Sequence, residues 1–274
     1  MIILAATPIG NLGDASRRLV EALGTVEVIA AEDTRTTQRL LAALDVANRP
    51  RLIALHDHNE KDRAGQVVEL ARETDVLVLS DAGMPTISDP GYGLVATAAA
   101  EGVEVTVIPG PSAVLAALAV SGLPTDRFSF EGFAPRKSGE RRRALGELLA
   151  ERRTMVFFEA PSRLAATLSS MAESFGDARP AVVCRELTKV HEEVRRGSLA
   201  ELAVWAEQGV RGEIVIVVSG ATEAAERMPF DDAVAYVLDR VAQGARLKDA
   251  TRDVAGSSGY AARDLYDAAV AARA

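Results

Sequence analysis

The chain has 274 residues, 48% hydrophobic and 26% charged, an ordinary globular composition with enough length for more than one core. Its net charge of −8, from 31 basic and 39 acidic residues, argues against non-specific coating of nucleic acid, which depends on neutralising phosphates. It leaves room for an RNA docked on a local patch, of which Arg136-Lys137-Ser138-Gly139-Glu140-Arg141-Arg142-Arg143 is the best; its plain reading is a solvated loop and helix start. The one cysteine, Cys184, excludes an internal disulfide and a multi-thiolate metal site, and behind Ala181-Val182-Val183 it reads as a buried strand residue. No apolar run reaches the roughly 18 residues of a membrane span, and Met1–Pro8 lacks a basic n-region, so a soluble cytoplasmic protein with no membrane contact is expected.

In chain order, short β-branched runs at Ile2–Ala6, Val26–Ala31, Arg51–Leu55, Asp75–Leu79 and Val103–Ile108 are predicted strands. Amphipathic stretches separate them. Ala15–Leu23 places Leu19, Val20 and Leu23 on one face, and Thr34–Leu44 does the same with Leu40, Leu41 and Leu44. This alternation predicts an α/β domain with a mostly parallel sheet and helices on its faces. It closes at Ile108-Pro109-Gly110-Pro111, where Ser112 is placed to cap a helix over Ser112–Ser121.

The next region predicts strands at Phe128–Phe133, Thr154–Glu159, Ala181–Arg185, Glu192–Gly197 and Glu213–Ser219, with helices at Ser138–Ala150, Pro161–Phe175 and Ser198–Glu207. Ala181–Arg185 and Glu192–Gly197 are too close in sequence for a helical crossover, so an antiparallel pair and a mixed α+β sheet are expected. Gly220–Pro229 reads as a linker. Beyond it only helical pattern remains, with Arg246–Ala255, a turn at Gly256–Gly259 and Tyr260–Ala272 resembling a helix-turn-helix. The expected domains are 1-111, 112-221 and 230-274.

Polar residues concentrate at the predicted strand ends, where open α/β sheets bind ligands. The most informative loop is Ser80-Asp81-Ala82-Gly83-Met84-Pro85-Thr86-Ile87-Ser88-Asp89-Pro90-Gly91, whose glycines and prolines set an irregular backbone and whose acids suit a cationic or hydroxyl-rich ligand rather than a phosphate. Asp89 is placed to cap the helix that follows. Thr7–Asp14 follows the first strand without a G-x-G-x-x-G pattern, and no G-x-x-x-x-G-K-[ST] occurs, so nicotinamide and P-loop readings lose their main support. In Glu32–Thr37, Asp33 either caps a helix or acts chemically, while Arg35 in a first helical turn calls for a substrate phosphate or a carboxylate partner. His56-Asp57-His58-Asn59-Glu60 has too few further ligands for a metal and reads as a polar loop that caps a helix, or as a base or substrate contact. In Phe157–Arg163 an aromatic face suits a nucleobase, or the phenylalanines are core and Glu159 pairs with Arg163 or Arg185. No G-x-S-x-G elbow is present, which leaves transfer by positioning two substrates across a cleft.

Together these segments (Thr7–Asp14, Ala31–Thr37, His56–Glu60, Ser80–Gly91, Pro109–Ala113, Glu131–Lys137, Phe158–Arg163, Arg185–His191 and Gly212–Glu213) resemble the tetrapyrrole-methylase superfamily and, within it, the ribosomal RNA small subunit methyltransferase I family. The resemblance implies S-adenosylmethionine-dependent 2′-O-methylation of a cytidine ribose in the 16S rRNA decoding region, two α/β domains with the donor in their cleft, an appended helical domain and a homodimer. It implies donor contacts from Pro8, Ile9, Gly10, Asp81, Ala82, Gly83, Met84, Thr86, Ile87, Ser112, Ala113, Phe158, Glu159, Ala160, Leu187, Gly212 and Glu213, and no metal. Asp33, Glu60, Glu159 and Lys189 are candidate bases for the hydroxyl proton, with Arg35 and Lys189 on the RNA backbone. Competing readings are methylation of a tetrapyrrole small molecule and a non-catalytic ribosome-binding protein.

Overall fold

The computed structural model describes residues 1–56, 58–221 and 229–272, all but the side chain of Ser257; Asp57 and linker residues 222–228 lie outside the described residues. The chain forms two compact units, the first made of Met1–Ala116 together with Leu187–His191. Its elements are β1 (Ile2–Ala5), α1 (Arg17–Thr25), β2 (Val28–Ala31), α2 (Thr34–Ala43), β3 (Arg51–Ala54), α3 (Glu60–Glu73), β4 (Val76–Leu79), α4 (Tyr92–Ala100) and β5 (Val105–Ile108). The next helix, α5 (Ala113–Ser121), starts in this unit and ends in the second. The five strands lie in the order β3-β2-β4-β1-β5 and every pairing is parallel.

Strands β2 and β4 are buried along their whole length, as expected of central parallel strands covered on both faces. Ile2, Val28, Ala30, Val76 and Val78 pack with Val67, Val68 and Leu94 of α3 and α4. Ile29, Ala31, Leu77 and Leu79 pack on the opposite face with Leu19 and Leu23 of α1 and Leu41 of α2. Full burial of Leu19 and Leu23 contributes about 2 kcal/mol each. Because all five strands run the same way, the loops that carry the motifs leave from one edge of the sheet.

The second unit comprises Ala117–Glu186 and Glu192–Ala274. Its elements are β6 (Phe128–Phe133), α6 (Ser138–Glu147), β7 (Thr154–Glu159), α7 (Leu164–Phe175), β8 (Pro180–Arg185), β9 (Glu193–Ser198), α8 (Leu199–Ala206) and β10 (Ile214–Val218). The sheet order is β6-β7-β10-β8-β9, with β6 parallel to β7 and the remaining pairs antiparallel, so the mixed sheet and the β8–β9 pairing agree with the sequence. Met155, Phe157, Val183, Ile214 and Ile216 pack against Leu164, Leu168 and Met171 of α7 and Leu199 and Leu202 of α8. A capping box starts α8, with Ser198 and Glu201 each satisfying the other's backbone N–H. Pro161 opens a 3-10 turn, Pro161–Arg163, rather than the first turn of α7.

The chain then forms α9 (Phe230–Ala242), α10 (Leu247–Ser258) and α11 (Ala262–Ala271) around a small core of Ala233, Val237, Val254, Leu265 and Ala269. The turn expected at Gly256–Gly259 is corrected: α10 continues through Gly256 and stops at Gly259, in the left-handed region at φ 71°. Gly256 stands where α6 crosses closely, since a Cβ on Gly146 would lie 2.7 Å from the Gly256 carbonyl oxygen. The missing side chain that serves helix packing there is that of Gly146, since a Cβ on Gly256 itself would meet open space. Among the described residues no helix is long and apolar enough to cross a membrane.

Candidate active site

Within the first unit, the loops after β1 and β4 are clipped together by an isolated antiparallel bridge. Thr7 N–H donates to the Gly83 carbonyl at 2.9 Å and Gly83 N–H to the Thr7 carbonyl at 3.1 Å. Gly83 has φ 83°, a conformation that disfavours any side chain. A second clip joins the loops after β2 and β4. Asp81 N–H donates to Glu32 Oε2 at 3.2 Å, and Asp33 N–H donates to Asp81 Oδ1 at 3.2 Å.

Asp33 is the N-cap of α2, accepting from Arg35 N–H at 2.8 Å. It also holds the Arg35 guanidinium through Nε at 3.1 Å and Nη2 at 2.8 Å. The Arg35 side-chain hydrogen bonds lower the Asp33 pKa to about 2. Asp33 is thus the carboxylate that accounts for a cation in this first turn, and Arg35 remains 80% exposed. Partial burial pushes the Asp81 carboxyl above its ordinary value, with the Asp33 charge adding to the shift.

The loop after β3 is held by Asn59, whose Oδ1 accepts from His56 N–H at 2.9 Å while its Nδ2 donates to the Ala54 carbonyl at 3.1 Å. Glu60 then reaches the N-terminus of α4, its Oε1 accepting from Gly91 N–H at 3.0 Å and Leu94 N–H at 2.9 Å. The α4 cap thus comes from Glu60, where the sequence suggests Asp89; the N-cap residue itself is Gly91. Between them, Thr86 and Ser88 hold positive φ values of 76° and 65°, costly for residues with a Cβ.

Leu187–His191 belongs to this unit too, with Thr188 at φ 68°. A Cβ on Gly10 would fall on the Lys189 side chain and 3.0 Å from Thr188 Oγ1, so Lys189 lies across the β1 loop. Gly110, just before Ser112 and Ala113, packs so tightly that a Cβ would lie 2.9 Å from Ala6 Cβ. Ser112 Oγ stands at 3.5 Å from Leu115 N, a weak cap for α5.

In the second unit, Phe158 at the end of β7 packs edge-on with Phe130 at 4.8 Å and with Phe133 at 5.7 Å between ring centroids. Glu159 is fully buried and fully engaged, accepting from Ala160 N–H at 2.7 Å, from Thr167 Oγ1 at 2.6 Å and from Arg163. Glu186, at φ 50°, accepts from Glu213 N–H through Oε1 at 2.8 Å and donates its own N–H to the Glu213 carbonyl at 2.9 Å. Gly212, at φ 96°, lets that side chain pass, since a Cβ there would sit 2.6 Å from Glu186 Cδ.

The structure therefore gathers Pro8, Ile9, Gly10, Asp33, Arg35, Asp81–Ile87, Leu187 and Lys189 on loops of one unit, and Phe158–Ala160 and Gly212–Glu213 on the other. Sequence reasoning passed over Glu32 and Glu186, which clamp two of these loops. Their only signal was an acid in a polar segment at a predicted strand end. Among the described residues no cluster of three metal-ligating side chains occurs.

A parallel sheet with polar loops on one edge, followed by a mixed sheet, is the architecture of a known class. The sequence family described as Tetrapyrrole (Corrin/Porphyrin) Methylases matches residues 1–203, and the chain belongs to it. Among solved structures, the methyltransferase CobJ superposes with a TM-score of 0.60 at 20% identity, covering 80% of this chain and 94% of that one. Uroporphyrin-III C-methyl transferase from Thermus thermophilus complexed with S-adenyl homocysteine gives 0.55 at 20% identity, covering 80% of this chain and 96% of that one. A Mycobacterium tuberculosis protein named Ribosomal RNA small subunit methyltransferase I is 53% identical over 274 residues, 99% of this chain and 95% of its own. Within the class, the chain belongs to the ribosomal RNA small subunit methyltransferase I family.

Proposed function

We propose that the chain transfers a methyl group from S-adenosylmethionine to the ribose 2′-oxygen of a cytidine in the decoding region of 16S rRNA. The observation that carries this reading is full-length similarity, at 53% identity, to a protein named for small-subunit rRNA methylation, against 20% for neighbours named for tetrapyrrole substrates. The class likeness alone supports methyl transfer; the family supports RNA. A cytoplasmic homodimer and the three-part division at 1-111, 112-221 and 230-274 belong to the same proposal.

The residues present fit the donor by their own chemistry. Asp81 and the carbonyls of the positive-φ loop after β4 offer negative charge to a cationic amino and sulfonium group. The backbone bridge between Thr7 and Gly83 holds the Pro8-Ile9-Gly10 and Asp81–Ile87 segments in register. In the second unit, Phe158 offers an aromatic face of the kind an adenine needs. When bound, the donor supplies an electrophilic methyl carbon with a neutral thioether as leaving group.

The protein's part is to position a hydroxyl and to let its proton leave. Asp33 is held near pKa 2 and so accepts a proton poorly at neutral pH. Glu60 serves a helix terminus and Glu159 a buried ion pair. We therefore assign these three to positioning, and Arg35 and Lys189 to the RNA backbone. Arg35→Ala and Lys189→Ala are expected to weaken binding to small ribosomal subunits and to slow methylation without changing donor affinity by calorimetry. Unchanged subunit binding and methylation in both variants would remove the assignment.

A further inference from the structure

On a chain of net charge −8, residues 136–143 carry five basic side chains and one acidic. Arg141 turns inward and is buried, donating to Ser170 Oγ at 3.0 Å and to the Arg136 carbonyl at 3.2 Å, which fixes the loop ahead of α6. Lys137 pairs with Glu140 at 3.1 Å. Arg136, Arg142 and Arg143 are exposed, and no ion pair is formed by them among the described residues. A local excess of unneutralised guanidinium on an acidic protein is an anion-binding surface.

An exposed aromatic ring stands three residues ahead of Arg136, at the end of the strand that leads into this loop. Phe133 ends β6 with 55% of its surface exposed, resting edge-on against Phe158. Between it and α6 lies a cleft of about 180 Å³, lined by Phe133, Glu131, Ala144, Glu147, Leu148 and Phe157. Its two carboxylates would repel a phosphate. They can accept hydrogen bonds from the exocyclic amino group of an unstacked base.

We propose that this face docks single-stranded RNA flanking the methylated nucleotide: Arg136, Arg142 and Arg143 take phosphates, Phe133 stacks on a base, and Glu131 and Glu147 read its amino edge. The proposal rests on the rRNA reading above and adds to it a substrate-binding surface outside the donor-contact set. Arginine for phosphate and an aromatic for a base is the pairing single-stranded RNA requires.

The test uses the full chain with a decoding-region RNA oligonucleotide and with small ribosomal subunits, over a salt series. In the triple variant Arg136→Gln/Arg142→Gln/Arg143→Gln the slope of log affinity against log salt is expected to fall by about 2, at about 0.7 per lost phosphate contact. Phe133→Ala is expected to lower affinity about tenfold without changing the slope, with Phe133→Tyr restoring it. Donor affinity of the triple variant, measured by calorimetry, stays at the wild-type value. If wild type methylates subunits and the triple variant keeps its affinity and slope, the docking face is overturned and the rRNA reading stands. If wild type neither binds nor methylates RNA, both are overturned. A loss seen with subunits and not with the oligonucleotide points to a ribosomal protein as partner and overturns the RNA assignment.

Discussion

Asp33 shows how one side chain settles what a motif leaves open. Its carboxylate caps α2 and clamps Arg35, and the hydrogen bonds from the guanidinium hold its pKa at about 2. The folded value lies below the ordinary 3.8, so whatever the clamp contributes is complete above that value and disappears as pH falls through about 2. Asp33 therefore adds no limb to the activity profile near neutrality. Following its carboxyl carbon by NMR should show a midpoint near 2, returning toward 3.8 in Arg35→Ala. A wild-type midpoint near 4 would mean that the clamp is open in solution. Glu60 is the second case. It accepts two N–H groups at the head of α4, so Glu60→Ala should cost about 1–2 kcal/mol in denaturant unfolding. Glu60→Gln, which keeps an acceptor oxygen, should retain methylation; a loss of a hundredfold or more in the rate would instead mark Glu60 as the base.

At the scale of elements, the strands were legible because apolar runs such as Val76–Leu79 are buried on both faces, and the helices because Leu19 and Leu23 repeat on one stripe. The loops that bear chemistry were legible as positions and not as geometry. Nothing in Thr86, Ser88, Glu186 or Thr188 announces a positive φ, since that conformation is imposed by the surrounding hydrogen bonds rather than by residue type. Gly256 misled because a glycine inside a helix looks, in sequence, like a turn, while the glycine that serves close helix contact is Gly146 of α6. Gly146→Ala tests that account. Its Cβ would meet the Gly256 carbonyl oxygen at 2.7 Å, so α6 and α10 must separate, at a cost of about 1–3 kcal/mol. Thermal unfolding and hydrogen exchange should show the loss concentrated in α9, α10 and α11. Wild-type protection in those helices would contradict the packing described.

For the whole molecule, the fold establishes only a class, because uroporphyrin-III C-methyl transferase, at 20% identity, shares its architecture while carrying the name of another substrate. What separates this chain from that enzyme is its 53% identity, over 99% of its length, to a protein named Ribosomal RNA small subunit methyltransferase I. The strand-end segments were readable in the sequence as residues even where their hydrogen bonds were not. Leu187–His191, predicted as a strand end of the second half, joins the first unit and lays Lys189 across Gly10. Contacts of that kind depend on long-range folding, which local patterning does not encode. The measurement that bears most directly on the central claim is transfer of labelled methyl from S-adenosylmethionine to small ribosomal subunits, naked 16S rRNA and tetrapyrrole precursors side by side, followed by mapping of the labelled position. The account predicts label on one cytidine 2′-oxygen of the decoding region and none on tetrapyrroles. Label on a tetrapyrrole, or none on RNA in any form, would contradict it.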